Sequence, residues 1–381
     1  MRIIILGGDG YLGWPTAMSL SLQGHDVCVM DNYIKRDIAS KNNVRNLFEN
    51  SLLDTRSEYF SLKYQKKIEV IVGDCSNYDS LVLLFKDFKP DAIIHYAEQA
   101  SAPFSMKGYE EARFTLSNNL LTTFNLIWAI KEIAPDCHII KLGTMGEYGA
   151  PNIDIEEGWI NINHKGREDT FLYPRQAGSL YHTSKVLDTD LLWFYTRNND
   201  LRVTDLMQGP VYGFLTDEME NDSKLLTNFY YDDLFGTVLN RFIVQAVSGI
   251  PLTVYGEGGQ IRGYLNIKDV MQCVSLAVNN PAKQGELRIF NQFTELFSVN
   301  DLANKVFTVG NDMGLNVSIS NIKNPRKEKE THYYNATNTS LLDLGLKPNL
   351  LTDHALESMI AFVLKYKKLI DKDKIMPSVS W

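Results

Sequence analysis

The sequence predicts an α/β protein: a doubly wound parallel sheet with a smaller mixed domain toward the C-terminus. Two observations carry that prediction. Short apolar runs at residues 3–6, 27–30, 68–72, 92–96 and 138–142 alternate with amphipathic stretches such as 11–22 and 119–133. Buried strands separated by helices form βαβ units, and their strands run parallel. The turn Gly7-Gly8-Asp9-Gly10-Tyr11-Leu12-Gly13 follows the first run and opens the first helical stretch. A glycine-rich turn at that place marks the ligand crevice of such a sheet.

The remaining elements follow in order. Residues 35–67 form a long, polar, partly helical insertion after the second strand. Residues 180–196 read as a helix and 203–206 as a further strand. After Gly209 the pattern loosens. Residues 217–231 are polar and acidic, which predicts a lid or substrate loop. Residues 249–263 are dense in glycine, which predicts turns around a cleft. From about Phe290 short strands and helices mix, as in a second, smaller domain. The first domain is expected over 1–207 with returning segments around 233–283, and the second over 208–232 and 284–381.

Composition removes several function classes. The net charge is −8 and the pI is about 5.5, which argues against a nucleic-acid binder needing a basic face. Cys28, Cys75, Cys137 and Cys273 are scattered, with no CxxC pair. Buried thiols in a reducing cytoplasm are expected, not a disulfide framework or a metal site. No apolar stretch reaches the ~20 residues needed to span a bilayer. No targeting peptide fits before the first strand, so a cytoplasmic protein is expected.

Gly7, Gly10 and Gly13 give the spacing of a dinucleotide turn in a Rossmann sheet. The first allows the tight turn, the second the approach of a pyrophosphate, the third close helix packing. Asp9, Tyr11 and Leu12 lie within the turn and share the cofactor expectation. Asp31, followed by Asn32, ends the second strand, near the ~20-residue offset of a carboxylate that binds the adenosine ribose. A carboxylate there repels a 2′-phosphate and favours NAD; Arg36 nearby weakens that preference and is itself expected among the cofactor-binding residues. Asp74-Cys75 ends the third strand, where it either reads the adenine edge or caps a turn.

Tyr181 and Lys185 sit four apart, on one face of the expected helix. A phenol is a weak base near neutral pH, but an adjacent ammonium and a positive nicotinamide favour its phenolate. YxxxK alone also fits a surface helix pair. Thr144, just past the run 138–142, lies at the carboxyl edge where such sheets bind ligands, and its hydroxyl can hold a sugar hydroxyl. Thr144, Tyr181 and Lys185 behind a Rossmann turn point to hydride transfer.

These parts together resemble the extended short-chain dehydrogenase/reductase family. Within it the chain is similar to UDP-sulfoquinovose synthases over nearly its whole length. The runs that carry the likeness are 7–11 (GGDGY), 141–149 (KLGTMGEYG), 151–158 (PNIDIEEG), Tyr181-His182, Ser184-Lys185, 252–256 (LTVYG) and 258–260 (GGQ). They continue at 262–265 (RGYL), 290–295 (FNQFTE), 324–326 (NPR), 332–336 (HYYNA) and 376–381 (MPSVSW). The resemblance implies tightly bound, recycled NAD and a sulfonate-forming, hydrolase- or lyase-like reaction of UDP-glucose with sulfite. It also implies a homodimer, with the Tyr181 helix at or near the interface. The first domain then binds NAD and the second the UDP-sugar.

The resemblance extends the cofactor site to Asn119, Gln208 and Val211. It extends the substrate site to Gln99, Gln208, Gln260 and the Thr253–Tyr255 backbone beside uracil. Arg262 and Arg326 can grip the diphosphate bidentately, or form surface salt bridges. Arg175 or Gln176 can attract sulfite. Glu147 is the carboxylate nearest Thr144 and the expected acid or base of the elimination, with His182 as a second candidate. Met145-Gly146 stands where 4,6-dehydratases of the superfamily place Asp-Glu, so Met145 joins the catalytic set as an apolar wall. Ala100 replaces an arginine expected by the resemblance. A 4-epimerase or 4,6-dehydratase is the alternative enzyme, and an NAD-binding regulator the alternative of another class.

Overall fold

The computed structural model describes residues 1–220, 222–327 and 333–381; His332, at the head of the run 332–336, lies outside them. The chain opens with strand β1 (Arg2–Leu6), helix α1 (Gly13–Leu22) and β2 (Asp26–Asp31). α2 (Ile34–Lys41) and α3 (Leu53–Tyr64) occupy the long insertion before β3 (Ile68–Val72). α4 (Tyr78–Phe88), β4 (Ala92–His95), a short α5 (Ala102–Ser105), α6 (Tyr109–Ile133) and β5 (His138–Thr144) follow. A hairpin of β6 (Trp159–His164) and β7 (Arg167–Leu172) precedes α7 (Leu180–Asn199) and β8 (Arg202–Gln208). Beyond it come β9 (Val211–Tyr212), α8 (Asp217–Glu220), α9 (Val238–Ser248), β10 (Leu252–Tyr255), β11 (Ile261–Asn266) and α10 (Ile267–Asn279). The last elements are β12 (Leu287–Gln292), β13 (Glu295–Ser298), α11 (Val299–Asp312), β14 (Ile319–Ile322), α12 (Thr339–Asp343) and α13 (Asp353–Leu364).

Seven parallel strands form the central sheet in the order β12-β8-β5-β4-β1-β2-β3. The order reverses between β1 and β4, which opens the ligand crevice at their carboxyl ends. Alternation along each strand divides the apolar side chains between two cores. Ile3, Ile5, Val27 and Val29 join the core under α1 and α10. Ile4, Leu6, Cys28 and Met30 join the core under α4 and α6. All four cysteines are buried and free.

Helix starts follow local chemistry. Ser179 caps α7 by accepting the His182 N–H at 3.2 Å, and Asn266 caps α10 by accepting from Lys268. α1 starts at Gly13 rather than Tyr11, because Tyr11 and Leu12 belong to the turn. α7 buries a mixed stripe of Ser184, Lys185, Asp188, Thr189, Leu192 and Thr196 against the sheet. Such a polar face demands partners inside the protein.

Two expectations are corrected. Most of the polar segment 217–231 is no lid: residues 225–231 are buried, and Phe229 stacks on Phe48 at 5.1 Å. Its aromatic residues outweigh its acidic ones once a core is available to receive them. The domain boundaries also shift. β12 pairs with β8 inside the central sheet, although 284 was the expected start of the second domain. α9 packs against α11 and α13, although 238–248 was assigned to the first. Nearest neighbours in sequence do not reveal which sheet edge a late strand joins.

Candidate active site

The turn after β1 is built for close approach. Gly7 has φ +90°, and a Cβ on Gly13 would sit 2.1 Å from the Gly7 carbonyl oxygen. Glycine alone lets α1 begin this near β1, which leaves the helix N-terminus at the crevice. The Asp9 amide donates to Asp31 Oδ2 at 2.8 Å, and the Tyr33 amide to Oδ1 at 2.7 Å. Burial and the Asp9 charge push the Asp31 pKa up to about 6. The Asp9 carboxylate is bound by Arg36 (Nε at 2.6 Å), by the buried Arg56 and by Asn228. Arg36 is thereby turned from the cofactor role expected of it: a buried carboxylate needs cations, and Arg36 also donates to Asn50 and Ser51 carbonyls.

A continuous cavity of ≈ 740 Å³ runs from this turn past β5 to the C-terminal part of the chain. Gly7, Asp9, Gly10, Tyr11, Leu12, Gly13, Asp31, Asn32, Asp74, Cys75, Gln208 and Val211 line its cofactor end. Asn119 and Gln99 lie behind it. Asn119 accepts the Gln99 amide at 2.9 Å and donates to Ser184, while the Gln99 side chain bonds Ser101 and Thr115. Both hold the loop after β4 in place instead of touching the cavity.

Thr144, Met145, Tyr181 and His182 meet on the cavity wall. Thr144 ends β5, and its hydroxyl accepts the Gly146 N–H at 3.1 Å, which leaves its own proton to donate. Glu147 points the other way, sealed from solvent, with Lys141 Nζ at 3.3 Å and Arg175 Nε at 3.3 Å. Its carboxylate also accepts the Thr144 amide at 3.3 Å. The expectation of a catalytic Glu147 is therefore corrected, because burying Lys141 on β5 requires a carboxylate beneath the sheet edge. Arg175 is corrected likewise. It faces Glu147 and Asp190 and does not line the cavity, whereas Gln176 does.

Lys185 also stands behind the cavity wall, with its ammonium held by Glu98 and with Asp188 at 3.8 Å. Burial and Glu98 push the Tyr181 phenol well above its ordinary range. The phenolate expected from its neighbour Lys185 is thus not favoured in the protein alone: burial weighs most against it, and the Glu98 charge adds to that. His182 is neutral: burial, Arg326 and Arg262 push its pKa down to about 3.

At the far end, Arg262, Arg326, Gln260 and Tyr255 line the cavity. Thr253 does not; its backbone and hydroxyl are bonded by Gln245. The buried Arg241 joins the wall and donates to the Tyr255 hydroxyl at 2.6 Å. Residues 377–381 return across this end. Trp381 donates its amide to Pro325 O at 2.8 Å and its indole to Gly178 O at 3.2 Å, and Arg326 lies over its ring at 5.3 Å.

Residues 3–291 match the model of the NAD dependent epimerase/dehydratase family. The chain belongs to that family. Over 380 residues it is 50% identical to the chloroplastic UDP-sulfoquinovose synthase of Spinacia oleracea, covering all of this chain and 79% of the relative. It is 42% identical to the UDP-sulfoquinovose synthase of Sulfolobus acidocaldarius, covering all of this chain and 98% of the relative. Among solved structures it resembles the UDP-glucose 4-epimerase of Bifidobacterium longum in complex with NAD+ and UDP, with TM-score 0.71, 18% identity and coverage of 99% and 100%. The NAD-complexed UDP-glucose 4-epimerase of Thermus thermophilus has TM-score 0.65, 21% identity and coverage of 95% and 98%. These structures share the fold.

In this epimerase/dehydratase-family chain the sequence left three parts of the cavity wall unmarked. Glu98 follows β4 by three residues, and a carboxylate just past a buried strand at the carboxyl edge was its signal. Arg241 was hidden in the amphipathic pattern of α9. The segment 377–381 was marked as a run of the resemblance but not as cavity wall, because only the fold brings it back to Arg326.

Proposed function

We propose that this protein joins sulfite to UDP-glucose, releasing water and forming UDP-6-sulfo-6-deoxyglucose (UDP-sulfoquinovose). The observation that carries this is the 50% identity to the spinach enzyme over the whole chain. Tyr181, Thr144 and His182 on one wall of the cavity support it. The Gly13 contact and the placement of Asp31 fit a dinucleotide, with Gly7–Gly13 at its pyrophosphate and Asp31 at its adenosine ribose. NAD held by Gly7–Gly13 and Asp31 would supply reversible hydride acceptance at the sugar C4.

Thr144 donates to the 4-hydroxyl oxygen and Tyr181 removes its proton. The resulting ketone acidifies C5–H. Loss of that proton and of the C6 hydroxyl, together one water, leaves a 4-keto-5,6-ene; sulfite adds at C6, C5 takes up a proton, and Tyr181 returns its proton to O4 as C4 is reduced. With Glu147 and Arg175 behind the wall, His182 is our candidate for handling the C6 hydroxyl. A diphosphate between Arg262 and Arg326 offsets the part of the His182 shift that those arginines add to burial, and so makes the imidazole more basic. Gln176 and His182 face the incoming anion. Met145-Gly146 provides no acid beside Thr144, which disfavours a 4,6-dehydratase.

Leu121 and Phe124 on α6 and Leu187 and Phe194 on α7 are exposed. We assign them to the interface of a homodimer. Among the described residues no helix is long and apolar enough to cross a membrane.

Mass spectrometry of the purified protein with UDP-glucose, with and without sulfite, tests the reaction. A sulfite-dependent product of the expected mass, lost in Tyr181→Phe, supports it. Conversion to an epimer or a 4-keto-6-deoxy sugar without sulfite refutes it.

A further inference from the structure

We propose that Glu98 is a positioning residue for the Tyr181–Lys185 pair, keeping Tyr181 able to act first as a base and later as an acid. This role rests on the reaction proposed above. Glu98 stands three residues beyond β4, at the carboxyl edge of the sheet. Its side chain is only 4% exposed, yet it lines the cavity, which Lys185 does not. Oε1 receives the Lys185 ammonium, while Oε2 is buried with no hydrogen-bond partner. A buried, half-satisfied carboxylate is costly, and its place at the cavity wall points to a task there.

Charge supplies the task. Tyr181 takes a proton from O4 in the opening step and must return one to O4 in the closing step. An unopposed ammonium beside the phenol favours phenolate throughout, which helps the first step and hinders the last. Glu98 offsets that ammonium and lets the phenol regain its proton.

The other charged or titratable groups around this pair include His182, whose ring centroid lies 5.1 Å from that of Tyr181, His95 beyond Glu98, Lys141 and Glu147 from β5 and its turn, Asp188 from α7 and Asp205 from β8. His95 is neutral, pushed down to about 4 by burial. Burial and Glu98 push the Asp188 carboxyl well above its ordinary range, and its Oδ2 lies 3.8 Å from Lys185 Nζ. Glu147 and Asp205 share Lys141. Glu98, which bonds the Lys185 ammonium directly, is the nearest carboxylate to it.

The test is an ultraviolet pH titration of the NAD-loaded protein. The difference between each protein and its Tyr181→Phe counterpart reports the Tyr181 phenolate alone, with no sugar present. Glu98→Gln and Glu98→Ala are each expected to lower the midpoint by about one unit or more. Glu98→Asp, which keeps the charge, is expected to stay near wild type. With UDP-glucose and sulfite, Glu98→Gln is expected to hold a larger fraction of the cofactor reduced at steady state. An unshifted midpoint in both neutral variants, or an equal shift in Glu98→Asp, overturns the proposal. A shifted midpoint in a protein that never oxidises UDP-glucose supports the role of Glu98 and refutes the reaction.

Discussion

Glu147 Oε1 lies 3.3 Å from the Lys141 ammonium, with both side chains sealed from solvent behind Thr144. The pair braces the β5 end from beneath. Glu147→Gln leaves Lys141 with Asp205 and Arg175 with the exposed Asp190 as their remaining carboxylates, and is expected to cost about 2 kcal/mol of stability. Chemical denaturation measures this. The folded variant is expected to retain Tyr181-dependent hydride transfer. Unchanged stability with a thousandfold loss of turnover would instead make Glu147 catalytic.

Asp31 gives two pH effects of opposite sign. Its pKa is raised from 3.8 to about 6 in the folded protein. An acid raised by folding stabilises the fold in its protonated form. Its contribution is therefore present below about 4 and is lost as the pH rises through about 6. NAD affinity is expected to move the other way, rising through about 6 as the carboxylate that accepts ribose hydroxyls forms. Calorimetric titration of cofactor-free protein from pH ~5 to ~7.5 checks this. Asp31→Asn should bind weakly and lose that pH dependence.

Trp381 fixes Arg326 from the solvent side. Its ring lies under the guanidinium, and backbone bonds join it to Pro325 and Lys327. Trp381→Ala removes a cation–π contact to an exposed arginine, worth about 0.5–1 kcal/mol. KM for UDP-glucose is expected to rise by roughly two- to fivefold, with NAD content unchanged. Steady-state kinetics separates this from a general loss of activity, which would lower kcat instead.

Arg56 is buried against the Trp14 ring at 4.9 Å and bonds the Asp9 carboxylate. Arg56→Met leaves Asp9 with Arg36 and Asn228 alone. A loss of about 3 kcal/mol in stability is expected, with weaker NAD binding, because the Asp9 amide braces Asp31. Thermal unfolding with and without added NAD measures both.

Much of the cofactor half was legible because its signals are local. Gly7, Gly10 and Gly13 answer a backbone constraint within one turn, and Asp31 follows at a spacing set by one βαβ unit. Tyr181 and Lys185 share a helix face by period alone. The direction in which Glu147, Arg175 and Arg36 point was not legible. A buried charge turns toward its partner, and Lys141, Asp190 and Asp9 are partners only in the folded chain.

By itself, then, the sequence determined the parallel sheet, the glycine-rich turn after β1 and the sharing of one helix by Tyr181 and Lys185. Each follows from periodicity, steric demand or helix spacing over a few residues. The tertiary structure alone decided that 225–231 is core, that β12 closes the sheet edge, and that Glu98, Arg241 and Trp381 wall the cavity. Those outcomes depend on contacts across tens to hundreds of residues, where burial and charge pairing select among arrangements that local pattern leaves equal.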